Sequence, residues 1–148
     1  MGMDAEVVVL ALHAHEVMEP LTRFDESRSW RGRFEPIEVL GGYGWAAEFP
    51  RQSGRTGLLR HLESLAWPNP GSVQVLMHDV DDECFGLWML HYGVLTEVPL
   101  PRTRRFHLPA PATTESPPHP GYIRRTDDGS RALPEQTPPH LRDPRPAW

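Results

Sequence analysis

The sequence predicts an α+β domain: a small mixed or antiparallel sheet with one main helix packed on a face, followed by a proline-rich irregular tail. Three observations predict it. Residues 72–100 read as a three-strand antiparallel meander, Val73–Asp79, Cys84–His91 and Val94–Val98. Leu58, Leu59, Leu62 and Leu65 recur at the spacing of an amphipathic helix. Twelve of the 17 prolines fall from Pro99 onward, where apolar periodicity also stops. The expected division is a compact domain over residues 1–100 and a tail over 101–148, extended or disordered unless bound.

Taken in order, Val7–Leu12 is a β-branched run that reads as a strand buried on both faces, or as the start of a helix. Residues 13–33 are mixed and polar, and predict a loop with a short helical turn anchored by Trp30. Ile37–Leu40 and Trp45–Phe49 read as strands joined by Gly41-Gly42-Tyr43-Gly44, whose glycines supply the positive φ that a hairpin needs. Trp45, Ala47 and Phe49 should share a face. A phosphate loop would place a helix after the glycines, and a strand-like segment stands there instead. The helix is expected over Arg55–Ala66, capped by Ser53 or Thr56 and stopped by Pro68 and Pro70. Joining a strand that ends near Phe49 to one that begins near Val73, it should be a right-handed crossover that sets them parallel. In the meander, Val73, Val75 and Met77 share one face. The middle strand is apolar on both, with Phe85, Leu87 and Met89 opposite Cys84, Gly86, Trp88 and Leu90, so a central strand covered on both sides is expected.

Charge divides where the prolines begin. Residues 1–98 hold 15 Asp and Glu against 7 Arg, a formal −8; residues 99–148 hold 5 against 8, a formal +3. An acidic body disfavours nucleic acid and favours a basic partner, although solubility alone also accounts for acidic surface. All 15 basic residues are Arg, as a GC-rich coding sequence produces. The single Cys84 lies in the most apolar strand, which suits a reducing cytoplasm and an inert buried thiol. Met1–Glu6 holds two acids and no base, so neither a secretory leader nor a membrane span is expected.

His13 and His15, with His78 from a neighbouring strand, are the set to test for metal binding, against the simpler reading of a strand end turning into solvent. Asp79, Asp81, Asp82 and Glu83 form the densest acidic patch. It is too short for a calcium loop and lies at a hairpin tip, where exposure argues against acid–base catalysis. It reads as a solvated loop or as a contact patch for basic side chains. On the second reading, reversing Asp81, Asp82 and Glu83 to Arg should leave thermal stability nearly unchanged but abolish partner binding. The expected partner-binding residues are Asp79, Asp81, Asp82, Glu83, Trp88 and Tyr92, and the expected tail contacts are Arg104, Arg105, Tyr122 and Trp148. The tail has too few charges for strong nucleic-acid binding alone. No catalytic residue, metal or cofactor is assigned.

The Tyr43–Phe49 strand, the Leu58–Leu62 helix and the Phe85–Thr96 hairpin resemble immunity proteins of bacterial polymorphic-toxin systems, especially those paired with deaminase-type toxins. The resemblance covers residues 37–100, and the proline-rich tail departs from it. It implies a non-catalytic cytoplasmic protein that blocks a basic, nucleic-acid-acting toxin by binding it. The alternatives are an assembly or adaptor protein, of phage or biosynthetic origin, whose tail is ordered in a larger complex, and a small metal-dependent enzyme using the three histidines.

Overall fold

The computed structural model describes residues 4–50, 55–106 and 121–126. Eight strands occur there: β1 (Asp4–Leu10), β2 (Glu35–Pro36), β3 (Gly44–Pro50), β4 (Gln74–His78), β5 (Gly86–His91), β6 (Val94–Val98), β7 (Thr103–Phe106) and β8 (Tyr122–Arg125). The helices are α1 (His15–Met18) and α2 (Leu58–Ser64), with short 3-10 turns at 19–22, 38–40 and 70–72. Six strands form one sheet in the order β2-β3-β1-β4-β5-β6, and β7 pairs with β8 in a separate ribbon. Neighbours pair antiparallel throughout.

The β4–β5–β6 meander lies within the expected spans, with β6 as expected, β4 one residue shorter at each end, and β5 beginning at Gly86 instead of Cys84. Its second turn is Tyr92-Gly93, with φ of 50° and 76°, between paired His91 and Val94. Two consecutive positive φ values make the primed turn whose twist suits a two-residue hairpin. The β3–α2–β4 crossover also sets its two strands parallel, but they are not adjacent. β1 lies between them, antiparallel to both.

Ala5, Val7 and Val9 of β1, Trp45, Ala47 and Phe49 of β3, Val75 and Met77 of β4 and Trp88 of β5 face the core. α2 covers them with Leu58, Leu59 and Leu62. Residues 13–34 close the end of this layer through Met18, Leu21, Trp30 and Phe34. Trp30 is the expected anchor: it is fully buried, its rings meet Phe34 and Phe49 edge-on, and its Nε1–H donates to His61 Nδ1 at 2.6 Å. Burial, with Arg28 nearby, holds the His61 pKa below its ordinary value, which suits a neutral acceptor.

Several expectations are corrected. α2 is shorter than 55–66 because Gly57, at φ 82°, breaks the helical path just before Leu58; no side chain caps it, so Thr56 has no such role, and Ser53 lies outside the described residues. Ile37–Leu40 is a 3-10 turn instead of a strand, and the hairpin pairs at Glu35 and Pro36. One more backbone bond, from the Ile37 N–H to the Gly44 carbonyl at 2.9 Å, follows before the chain turns into the 3-10 segment. β1 and β5 are covered on one face only, and Val8, Leu10, Leu87 and Met89 on the other are half-buried. Regular structure also continues past Leu100: β7 and β8 lie in the expected tail and bury Phe106 and Ile123.

Candidate functional site

Two surfaces come out of this arrangement: the junction between the acidic loop and the β7–β8 ribbon, and the outer face of the sheet.

The acidic loop is a structural joint. Asp79, at the end of β4, is 1% exposed, and Arg55 Nη1 donates to its Oδ2 at 3.1 Å, tying the start of the crossover to the sheet. Asp82 turns its carboxylate inward, where Oδ2 accepts from the Asp79 N–H and Oδ1 from the Ile123 N–H, both at 2.9 Å. Glu83 donates its own N–H to the Ile123 carbonyl at 2.9 Å and accepts the Arg125 N–H on Oε2 at 2.5 Å. Its Oε1 lies 3.6 Å from Arg124 Nη1. The loop thus binds β8 almost as another strand would, with carboxylates replacing two of the carbonyl acceptors.

The seat beneath β8 is shaped by β5 and β6. Gly86 faces Ile123 so closely that a Cβ there would lie 2.7 Å from Ile123 Cδ1 and 2.6 Å from the Trp88 ring. Only a residue without a side chain lets the ribbon sit down. Trp88 is 3% exposed beneath the Arg105 guanidinium, whose carbon is 5.0 Å from the ring centroid. Arg105 Nε donates to Glu97 Oε2 at 2.6 Å, and its Nη1 to the Gly121 carbonyl at 3.2 Å. A cavity of about 240 Å³, lined by Gly86, Glu97, Arg105 and Ile123 among others, remains between ribbon and sheet.

Burial raises the Asp82 carboxyl above its ordinary range, against the pull of its two N–H donors and Arg105. Glu97 is raised for the same reason, and its contact with Arg105 only partly offsets burial. Burial, and then the charges of Asp82 and Glu83, push the Cys84 thiol up, so it stays protonated and unreactive. His78 braces the loop from the other side, with Nδ1 3.0 Å from Glu6 Oε2 and Nε2 3.0 Å from the Asp82 carbonyl. Both partners are acceptors. Burial opposes the charged ring, but these contacts prevail and raise its pKa.

The sequence-predicted site residues therefore separate. Asp79, Asp82 and Glu83 converge on Arg55 and β8; Asp81 is half-buried beside them. Trp88 lies under the ribbon and is not an exposed contact residue. Tyr92, 93% exposed in the β5–β6 turn, stands against His91 with ring centroids 4.4 Å apart. Arg104 is exposed over Phe106, and Tyr122 pairs with Phe106 across the ribbon. Trp148 lies outside the described residues. His13 and His15 follow the end of β1, whereas His78 pairs with Glu6 near its start, so the three imidazoles sit at opposite ends of the sheet and do not converge. Among the described residues no three His, Cys, Asp or Glu are grouped as ligands for a metal ion, and no helix is long and apolar enough to cross a membrane.

The outer face was missed. Ala46, Val8, Leu76, Leu87 and Val98 stand in register across five adjacent strands, all half-buried, on the side away from α2. Leu10, Gln74 and Met89 form the next row and run into an open groove of about 530 Å³ that includes Leu12, Leu40 and Tyr43. The opposite border of the face carries Glu48, Glu6 and His78. The signal was present as apolar residues on both parities of β1 and β5, but it could not show that helices cover one side only.

No protein-family model, curated protein or solved structure matches this chain.

Proposed function

We propose that this chain is a non-catalytic binding protein, an inhibitor of the immunity kind, which covers an apolar, basic-bordered surface of a protein partner with the outer face of its sheet. The observation that carries this reading is the apolar row Ala46-Val8-Leu76-Leu87-Val98, continued by Leu10 and Met89 and bordered by Glu6 and Glu48. Contiguous half-exposed apolar side chains on a rigid sheet are the usual core of a protein interface, and the acidic border selects a basic rim opposite. No outward position of these strands carries Arg. The acidic loop first expected to make the contact supports the reading less well, because its carboxylates already hold β8.

The test is capture from the host's lysate with the wild type, Leu87→Glu and Glu48→Arg, each checked by circular dichroism for its fold. One stoichiometric basic chain that is lost with Leu87→Glu, and held less salt-sensitively by Glu48→Arg, supports the proposal. Equal capture by the wild type and Leu87→Glu, or no partner at all, refutes it.

A further inference from the structure

We propose that the cleft between the 79–83 loop and the β5–β6 end of the sheet is a docking site for an extended basic segment of a partner protein, and that β8 is a resident occupant which such a segment displaces. This goes beyond the outer-face reading and stands independently of it, on the opposite side of the sheet. The evidence is the occupant itself. Beyond its ladder with β7, β8 is held to the body by main-chain contacts that any extended peptide can make: the Ile123 N–H to Asp82, the Ile123 carbonyl to the Glu83 N–H, and the Arg125 N–H to Glu83. Main-chain recognition of this type gives affinity, and side-chain pockets give specificity.

Two features define that specificity. The space over Gly86, beside the Trp88 ring, takes a branched apolar side chain, here Ile123. Glu83 takes the guanidinium that follows, here Arg124. The cleft therefore reads an extended segment with an aliphatic residue followed by arginine. β8 is tethered to β7 by the fifteen residues 107–121, five of them proline. A tethered strand competes at an effective concentration on the order of millimolar, so a free segment that binds the empty cleft with a Kd of ~0.1 mM sees it weakened about tenfold.

The experiment uses the full chain and a fluorescent peptide of the natural sequence Pro120–Thr126. Ile123→Asp sets a carboxylate into the apolar seat over Gly86, beside the Trp88 ring, and should expel β8 while leaving the cleft intact. Near-ultraviolet circular dichroism of the buried tryptophans reports whether that variant keeps its core. The expected result is peptide binding about tenfold tighter to Ile123→Asp than to the wild type, and lost in Glu83→Arg/Ile123→Asp. A well-folded Ile123→Asp that binds no more tightly than the wild type overturns the proposal. Should Ile123→Asp lose its core spectrum, hydrogen exchange of the wild type decides. Saturating unlabelled peptide should accelerate exchange at the Ile123 and Arg125 amides of the chain's own β8, and unchanged exchange at millimolar peptide overturns the proposal. The outer-face variants enter none of these arms, so the two readings fail separately.

Discussion

Replacing Asp82 with alanine tests whether the acidic loop is a joint or a solvated tip. The Asp82 carboxylate accepts two backbone N–H groups at 2.9 Å, one within its own loop and one from β8. A hydrogen bond to an ionised acceptor contributes about 1.5–3 kcal/mol, so the two together contribute about 3–6 kcal/mol. Removing a carboxylate that burial already penalises returns part of this, which leaves a net loss of about 2–4 kcal/mol. At about 3 °C per kcal/mol for a chain of this size, Asp82→Ala should lower Tm by roughly 6–12 °C. Asp82→Asn keeps the shape and one acceptor but turns an amide N–H towards the second donor, so it should lose at least half as much. Melting by circular dichroism gives both values, and amide exchange at Ile123 should accelerate more than at the buried β1 residues. If both variants melt within about 2 °C of the wild type, the carboxylate does not hold β8 and the joint is wrong. A loop of freely solvated acids predicts that null result.

Two further outcomes follow from groups in the same region. Arg55→Met removes the Arg55 cation from buried Asp79 and should cost about 3–5 kcal/mol in urea unfolding, while Arg55→Met/Asp79→Asn should recover a large part of it; a cost below about 1 kcal/mol for the single variant contradicts the buried pair. His78 and His61 should make stability respond to pH in opposite senses. The folded pKa of His78 is raised above 6.5, so its contribution is full below that pH and is lost as pH rises through the folded value; that of His61 is lowered, so its contribution is full above 6.5 and is lost as pH falls. The urea-midpoint difference between the wild type and His78→Gln should therefore shrink from pH 6 to pH 9, and a constant difference would rule out the ionised contact with Glu6 and Asp82.

What could be read from the sequence was whatever a period of two or 3.6 encodes. The β4–β5–β6 spans, the inward face of Trp45, Ala47 and Phe49, the leucine stripe of α2 and the anchoring of Trp30 are all local patterns resolved by burial. The layer count was not local. Val7 to Leu10 and Gly86 to Leu90 carry apolar residues at both parities, and periodicity reads that as two covers when one face is instead half-exposed. The expected helix begins too early because the leucine stripe says nothing of residues 55–57, and the left-handed backbone of Gly57 keeps the helix from starting before Leu58. β7 and β8 were hidden by the prolines around them. Thr103–Phe106 and Tyr122–Arg125 are only four residues each, and neither has a partner in the sequence nearby.

Charge pairs differently in the fold than along the sequence. The sequence divides into an acidic body and a basic tail, a division that by itself implies a separate basic partner. In the fold, Arg105 of the tail reaches Glu97 of the body, and Arg124 with the Arg125 backbone reaches Glu83. Part of the asymmetry is thus complementarity within one chain. Opposite charges that meet across a joint need not be far apart in function either: carboxylates that hold a strand mostly by its backbone accept any strand of like shape and charge. The contacts that explain why these residues fold onto the body are therefore the same contacts that give the cleft its selectivity, and the occupant's sequence, Ile123-Arg124-Arg125, is the first specification of what could replace it.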